Sequence, residues 1–259
     1  MKRKKKSEST RERILETALG KFRKRGFDAT TMREIAEAAG TSLGSAYYYF
    51  PSKEALVLAH WETQMDEHER RARDVFARSG DLGERLRAVF HVRLDLMKHD
   101  RKLLTGLFRT IGDPSSTVSV FSRETGSLRA RGIGILREAL SIPEVAEDLR
   151  DQAALGLWVL MLGMVLYFVH DESPGQTRTR ALADGALDTL IPLLPWLAAP
   201  VAEPLRNRLV ALLADAGLWP PSALAPEVSE RGALPHRQRP GTGVVRRATV
   251  GKTRRRPAV

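Results

Sequence analysis

Two groups of side chains in this 259-residue chain have the type and spacing to do chemistry. The first is Tyr47-Tyr48-Tyr49-Phe50, three of the four tyrosines side by side in a chain that is only 6% aromatic. A surface tyrosine offers a hydroxyl that can bond a phosphate oxygen or base edge and a ring that can cover a thymine methyl, so such a cluster suits nucleic acid. The second group is His91, Asp95 and His99, at i, i+4 and i+8 of one helical pattern, a spacing that could turn two imidazoles and a carboxylate toward a metal. That spacing also arises by chance on polar helix faces. With no Walker sequence, nucleophile elbow or HExxH motif, a helical metal-binding enzyme is the lesser reading, and no metal or catalytic residue is assigned.

The elements that must position the tyrosines can be read one at a time. Thr31-Met32-Arg33-Glu34 fits a capping box, which starts a short helix with Met32, Ile35, Ala36 and Ala39 on its apolar face. Gly40 supplies the left-handed residue that ends it, and Ser42 caps the next helix three residues later. Two helices joined so tightly form a helix-turn-helix, whose second helix is the one that enters a major groove. On that helix Leu43, Ala46 and Phe50 should pack inward, with Gly44, Ser45, Tyr48 and Tyr49 outward and Tyr47 between the faces, its ring partly in the core. Pro51 stops the helix and Ser52 caps another. Lys53 is unfavourably placed at that helix start, which a bound phosphate would compensate.

Over about Glu8 to His68 the sequence resembles the TetR family of bacterial transcriptional regulators, through "TTMREIAEAAGTSLGSAYYYFPSKEAL". Thr30, Thr31, Ile35, Ala36, Ala39, Gly40, Ser42, Gly44, Tyr47, Phe50, Ser52 and Lys53 fill the positions of the family pattern. The resemblance implies DNA contacts from Thr31, Thr41, Ser42, Ser45, Tyr47, Tyr48, Tyr49 and Lys53, with Gly44 on the same outward face. Two departures are Ala46, where the family usually has a larger aliphatic residue, and Tyr49, where it often has His. The family further implies a dimeric repressor that binds a palindromic operator in double-stranded DNA and is released by a small molecule; an activator of the same fold is the alternative.

The rest of the chain reads as all-α, with helices over roughly 82–99, 101–111, 117–140, 144–171, 177–198 and 203–216 and no convincing strand. The expected organisation is a basic disordered arm (1–7), a helix-turn-helix domain (8–68, motif 31–50), a helical ligand-binding and dimerisation domain (69–217) and a basic disordered tail (218–259). The net charge of +11 sits at the two ends: residues 1–6 carry five cationic side chains, and 228–259 carry nine against the single Glu230. Absence of cysteine excludes disulfides and thiolate metal sites. The basic start is followed by polar residues where a signal peptide would be apolar, so a cytoplasmic protein is expected.

Ala153 to Val169 is uncharged for seventeen residues, the lower edge of a membrane span, but acidic residues precede it, "HDES" follows it, and flanking Lys/Arg asymmetry is missing. A buried core or interface helix is the preferred reading over membrane attachment. Gly156 and Gly163 on this helix, and Ala181, Gly185 and Thr189 on the next, make small-residue faces through which two copies could pair as a four-helix bundle. Phe90, Leu94, Met97, Phe108, Trp158, Met161, Val165 and Phe168 are the candidate lining of an effector pocket, whose composition suggests an apolar ligand; no cofactor is implied. No basic cluster between 82 and 168 looks reserved for an anion, though Arg87, Arg93 and Arg109 could serve.

Overall fold

In a computed structural model of the chain, residues 2–219 are described, all within one compact unit, Met1–Pro226. The tail expected over 218–259 therefore lies outside the described residues from Pro220 onward. Eleven α-helices and no strand occur among the described residues.

The headpiece is α1 (Lys2–Arg25), α2 (Met32–Ala38), α3 (Leu43–Tyr49) and the first half of α4 (Lys53–Phe76). Ile14, Ala18 and Phe22 of α1 meet Ile35 and Ala36 of α2, Ala46 and Phe50 around α3, and Leu56 and Val57 of α4 in one buried cluster. The expected disordered arm over 1–7 is corrected: α1 begins at Lys2, because Lys and Arg are good helix formers and nothing between Lys2 and Ile14 breaks a helix.

Beyond it come α5 (Leu82–Met97), α6 (Arg101–Gly112), α7 (Gly126–Ala139), α8 (Glu147–His170), α9 (Thr177–Leu190), α10 (Leu194–Ala198) and α11 (Glu203–Asp215). Helices α5, α7, α8 and α9 share the second large core, with Phe90, Leu136, Leu155, Trp158, Met161 and Leu187 buried in it. The border expected at 68/69 falls inside α4, a single helix that runs from one core into the other.

Two helices differ from expectation. The pattern over 117–140 predicts one helix, but only Gly126–Ala139 is helical. Residues 113–125 are rich in Ser, whose side chains offer the backbone other partners: Ser115 N–H bonds Asp113 Oδ1 at 2.9 Å, and the Thr125 hydroxyl donates to Ser119 O at 2.7 Å. The segment 177–198 is broken after Leu190, where Pro192 and Pro195 remove ladder donors and leave a 3-10 turn before the short α10.

The stretches Glu147–His170 and Pro174–Ala198 are long and apolar enough to cross a membrane, with mean hydropathies of 2.0 and 1.2. In the fold, α8 puts one face into the core and leaves Gly156, Val159, Gly163, Leu166 and Tyr167 exposed on the other.

Candidate DNA interface and ligand cavity

The turn between α2 and α3 is held by local bonds and by Arg13 of α1, whose Nε donates to Ala39 O at 2.9 Å. Thr31 Oγ1 accepts from Glu34 N–H at 3.2 Å, while Glu34 Oε2 accepts from Thr31 N–H at 2.9 Å, closing the capping box. Those bonds, first the Thr31 backbone and then Arg25, lower the Glu34 pKa to about 2. At the other end Gly40 takes φ +60°, its N–H bonds Glu37 O at 3.0 Å, and Thr41 N–H bonds Ala36 O at 3.0 Å, the two bonds of a Schellman stop. Ser42 Oγ then accepts from Ser45 N–H at 3.1 Å and starts α3. Chain reversal is thus completed within four residues, and α3 is presented at the edge of the headpiece.

On α3 the side chains separate sharply. Ala46 is fully buried, whereas Tyr48 is 82% exposed and Tyr47 48% exposed. Thr31, Ser42 and Gly44 are exposed and Thr41 and Ser45 half-buried, so none of them is closed off from solvent.

Two expectations change here. Tyr49, not Tyr47, is the tyrosine tucked against the core; it is half-buried, and its hydroxyl lies 3.0 Å from Ser7 Oγ of α1. The reason is that Phe50 leaves the helix in extended backbone (φ −139°, ψ 104°), so the buried face of α3 centres on Ala46 and Tyr49 at i+3 lies nearer to it than Tyr47 at i+1. Lys53 is also turned inward: its ammonium donates to Phe27 O at 2.8 Å and sits 4.3 Å above the Phe27 ring, so the charge read as a phosphate contact is engaged within the headpiece.

A cavity of about 310 Å³ lies between α4, α5, α6, α7 and α8. Met97, Phe108, Trp158, Met161 and Val165 line it. Phe90, Leu94 and Phe168 do not: each is fully buried on a face turned into a neighbouring helix, so their assignment to the pocket is corrected to core. Sequence reasoning missed Trp61, Met65 and His68 of α4, which also line it. Their i, i+4, i+7 spacing was the available signal, hidden by placing the domain border at His68.

Among these apolar walls stand a few polar groups. His68 Nε2 lies 2.8 Å from Val89 O, which fixes the proton on Nε2 and leaves Nδ1 a buried acceptor without a partner. Burial first, and then the nearby Arg93 charge, lower the His68 pKa to about 4, so the ring is neutral. Arg129 donates to Val120 O at 2.7 Å and so fastens the 113–125 segment over the cavity.

The cavity and headpiece meet at α6. One face of α6 gives Leu104, Phe108 and Ile111 to the cavity; the other gives Leu103 and Leu107 to the headpiece core. Gly106 lies against Phe27, where an added Cβ would be 3.4 Å from the Phe27 backbone nitrogen. At the start of α6, buried Asp100 accepts at Oδ1 from Arg23 of α1 at 2.8 Å and at Oδ2 from Gln64 of α4 at 2.7 Å, and His60 Nε2 lies 2.7 Å from the same Oδ2.

The possible metal group is not assembled. His91 Nε2 is 2.7 Å from Asp184, and Asp95 pairs with Arg180 at 2.6 Å, so both belong to an ion-pair lattice joining α5 to α9. The small residues Gly156 and Gly163 of α8 and Ala181, Gly185 and Thr189 of α9 are all exposed.

Residues 14–60 match the family described as "Bacterial regulatory proteins, tetR family", and residues 85–199 match "Tetracyclin repressor-like, C-terminal domain". Over 91 residues the chain is 36% identical to the HTH-type transcriptional repressor KstR2 of Mycobacterium tuberculosis, covering 35% of this chain and 46% of that protein. The match thus spans about half the relative's length. Among solved structures, a TetR transcriptional regulator from Nitrosomonas europaea aligns with a TM-score of 0.56 at 19% identity, covering 72% of this chain and 98% of that one. A tetR-family regulator from Streptomyces coelicolor aligns with a TM-score of 0.53 at 25% identity, covering 80% and 98%. With a capped helix-turn-helix at residues 31–50 and both family domains matched in order, the chain belongs to the TetR family of bacterial regulatory proteins.

Proposed function

We propose that the chain is a cytoplasmic, dimeric repressor that binds a palindromic operator in double-stranded DNA and is released by a small molecule held in the cavity. The observation that carries the reading is the contrast on α3, where Tyr48 stands 82% exposed and the fully buried Ala46 lies two residues away, about half a turn round the helix. Large rings are held out at the end of a rigid two-helix unit, which is what major-groove contact requires. Tyr47, Tyr48, Ser45 and Thr41 are the contacts at the groove, and Thr31, Ser42 and Gly44 flank them. Tyr49 and Lys53 act by holding α3 and α4 in place.

Two such surfaces would lie about 34–36 Å apart, one helical turn of DNA, or a near multiple of it. The exposed strips of α8 and α9 pair the two copies. Ligand in the cavity acts through α6, whose opposite face is part of the headpiece core, and favours a conformation in which the separation is wrong for DNA.

Selection of genomic fragments by the purified protein at physiological salt, followed by sequencing, tests the reading. Enrichment of a palindrome is the expected result. Retention of all fragments alike, abolished by moderate salt, would reduce the binding to phosphate attraction alone.

A further inference from the structure

The effector cavity carries a cation with no partner of its own. Arg93 projects from α5 into the cavity lining, its Nη1 is buried without a hydrogen-bond partner, and it forms no ion pair among the described residues. Of the other cationic side chains on these helices, Arg87 pairs with Asp184 and Asp188 and Arg129 bonds the 113–125 backbone, while the side chain of Arg109 lies outside the described ones. The carboxylate nearest in charge to Arg93 is Asp100, and its oxygens are already taken by Arg23, Gln64 and His60. A guanidinium nitrogen buried without a hydrogen-bond partner is costly, and among the described residues no acid stands within ion-pair reach of this one. Around it the walls are apolar, from Met97, Phe108, Trp158 and Met161.

We propose that the effector is a compact apolar molecule bearing a carboxylate, seated with that carboxylate on Arg93 and its body against Phe108, Trp158 and Met161. The proposal rests on the regulator reading and narrows it from an apolar ligand to an amphipathic anion. A planar carboxylate matches the guanidinium fork in two parallel hydrogen bonds. A cavity of about 310 Å³ lies at the small end of ligand sites, which favours a single short chain or fused ring system over a bulky conjugate. His68, which also lines the cavity and whose Nδ1 is buried without a partner, is the acceptor assigned to a hydroxyl on the ligand body.

The test uses the full chain, with decanoate and 1-decanol as probes of matched length. By titration calorimetry, decanoate is expected to bind the wild type at least about tenfold more tightly than decanol, and Arg93→Met to bring the two to parity by weakening decanoate alone. Arg93→Met should also raise the melting temperature of the ligand-free protein, since it removes a buried charge. Equal affinity for the two probes, binding of neither, a preference that survives in Arg93→Met, or a lowered melting temperature in that variant would each overturn the assignment. Gel-shift assays on the selected operator keep the two readings apart. Operator binding without decanoate preference defeats this inference only; Arg93-dependent decanoate binding that never alters operator affinity defeats the release mechanism and leaves the site standing.

Discussion

At the scale of single residues, the tyrosine cluster divides into two exposed rings, Tyr47 and Tyr48, proposed above as readers of the operator, and a brace, Tyr49. Tyr48→Ala is expected to weaken operator binding by about 1–3 kcal/mol while barely changing affinity for random duplex, measured by fluorescence anisotropy on both. An equal loss on the two would make Tyr48 a phosphate contact. Tyr49→Phe removes only the hydroxyl facing Ser7, so it should cost about 0.5–1.5 kcal/mol of stability and leave the operator-to-random ratio unchanged. That Tyr48 faces outward was legible in the sequence, because Ala46 and Leu43 define the buried side of α3. The exchange of roles between Tyr47 and Tyr49 was not, since it depends on Phe50 leaving the helix. The cavity residues of α4 carried a readable spacing, whereas the lack of a partner for Arg93 Nη1 among the described residues is a property of the packed fold alone.

His68 gives a second prediction at this scale. Its pKa falls from 6.5 to about 4 on folding, chiefly through burial, so the unfolded chain takes up the proton first as pH drops. Stability from this group is therefore complete above about pH 6.5 and is lost as pH falls toward 4, by about 3 kcal/mol at most. Urea unfolding at a series of pH values should show this limb, and His68→Gln should flatten it. Asp100 adds a limb at lower pH: burial raises its pKa, but the bonds from His60 and Arg23 outweigh this and hold it below the usual carboxylate value. Its contribution is present above the ordinary pKa and is lost as pH falls through the folded one. If His68→Gln leaves the slope between pH 6.5 and 4 untouched, the ring is not the group being titrated.

At the scale of elements, α6 is the part that both sites share. Its apolar residues alternate between two cores, Leu103 and Leu107 toward the headpiece and Leu104 and Phe108 toward the cavity, and Asp100 pins its start to α1 and α4. Asp100→Asn keeps the size of the side chain and removes the charge that Arg23 pairs with. We expect a loss of about 1–3 kcal/mol in stability, and a reduction of the factor by which ligand weakens operator binding. Reciprocity makes the second effect measurable from either side, since operator DNA must weaken ligand binding by the same factor. An unchanged factor in a folded Asp100→Asn protein would place the coupling elsewhere, with Gly106 against Phe27 the next contact to alter. Helix α6 itself was legible from its periodicity. Its double role was not, because periodicity marks a residue as buried without saying in which core. The 113–125 segment escaped for a related reason: its apolar spacing is helical, but the side chains of Asp113, Ser115, Ser116 and Thr125 satisfy the backbone locally.

At the scale of the molecule, the glycines of α8 and α9 are where the proposed pairing of two copies can be tested. A Cβ added at Gly156, Gly163 or Gly185 would meet nothing within 4 Å, so no contact within the protomer requires a glycine at any of them. Yet each glycine inside a helix costs about 1 kcal/mol relative to alanine. Around them lie exposed apolar side chains, Val159 at 57%, Leu166 at 51% and Leu182 at 48%. Small residues ringed by exposed apolar ones suit the close approach of a second helix pair, with the larger side chains of one copy received where the other has none. Gly163→Leu separates the two scales, because within the protomer the new side chain has open space and a better helix former replaces a poor one. Circular dichroism should therefore show undiminished helix, while sedimentation equilibrium shifts from dimer to monomer. Operator affinity should drop by about 10²–10⁴, the advantage of binding the second half-site as part of the same particle, with affinity for an isolated half-site preserved. A Gly163→Leu protein that stays dimeric at micromolar concentration would move the interface off α8, and the exposed apolar side chains of α10 and α11, Trp196, Leu205 and Leu209, would then be the surface to test.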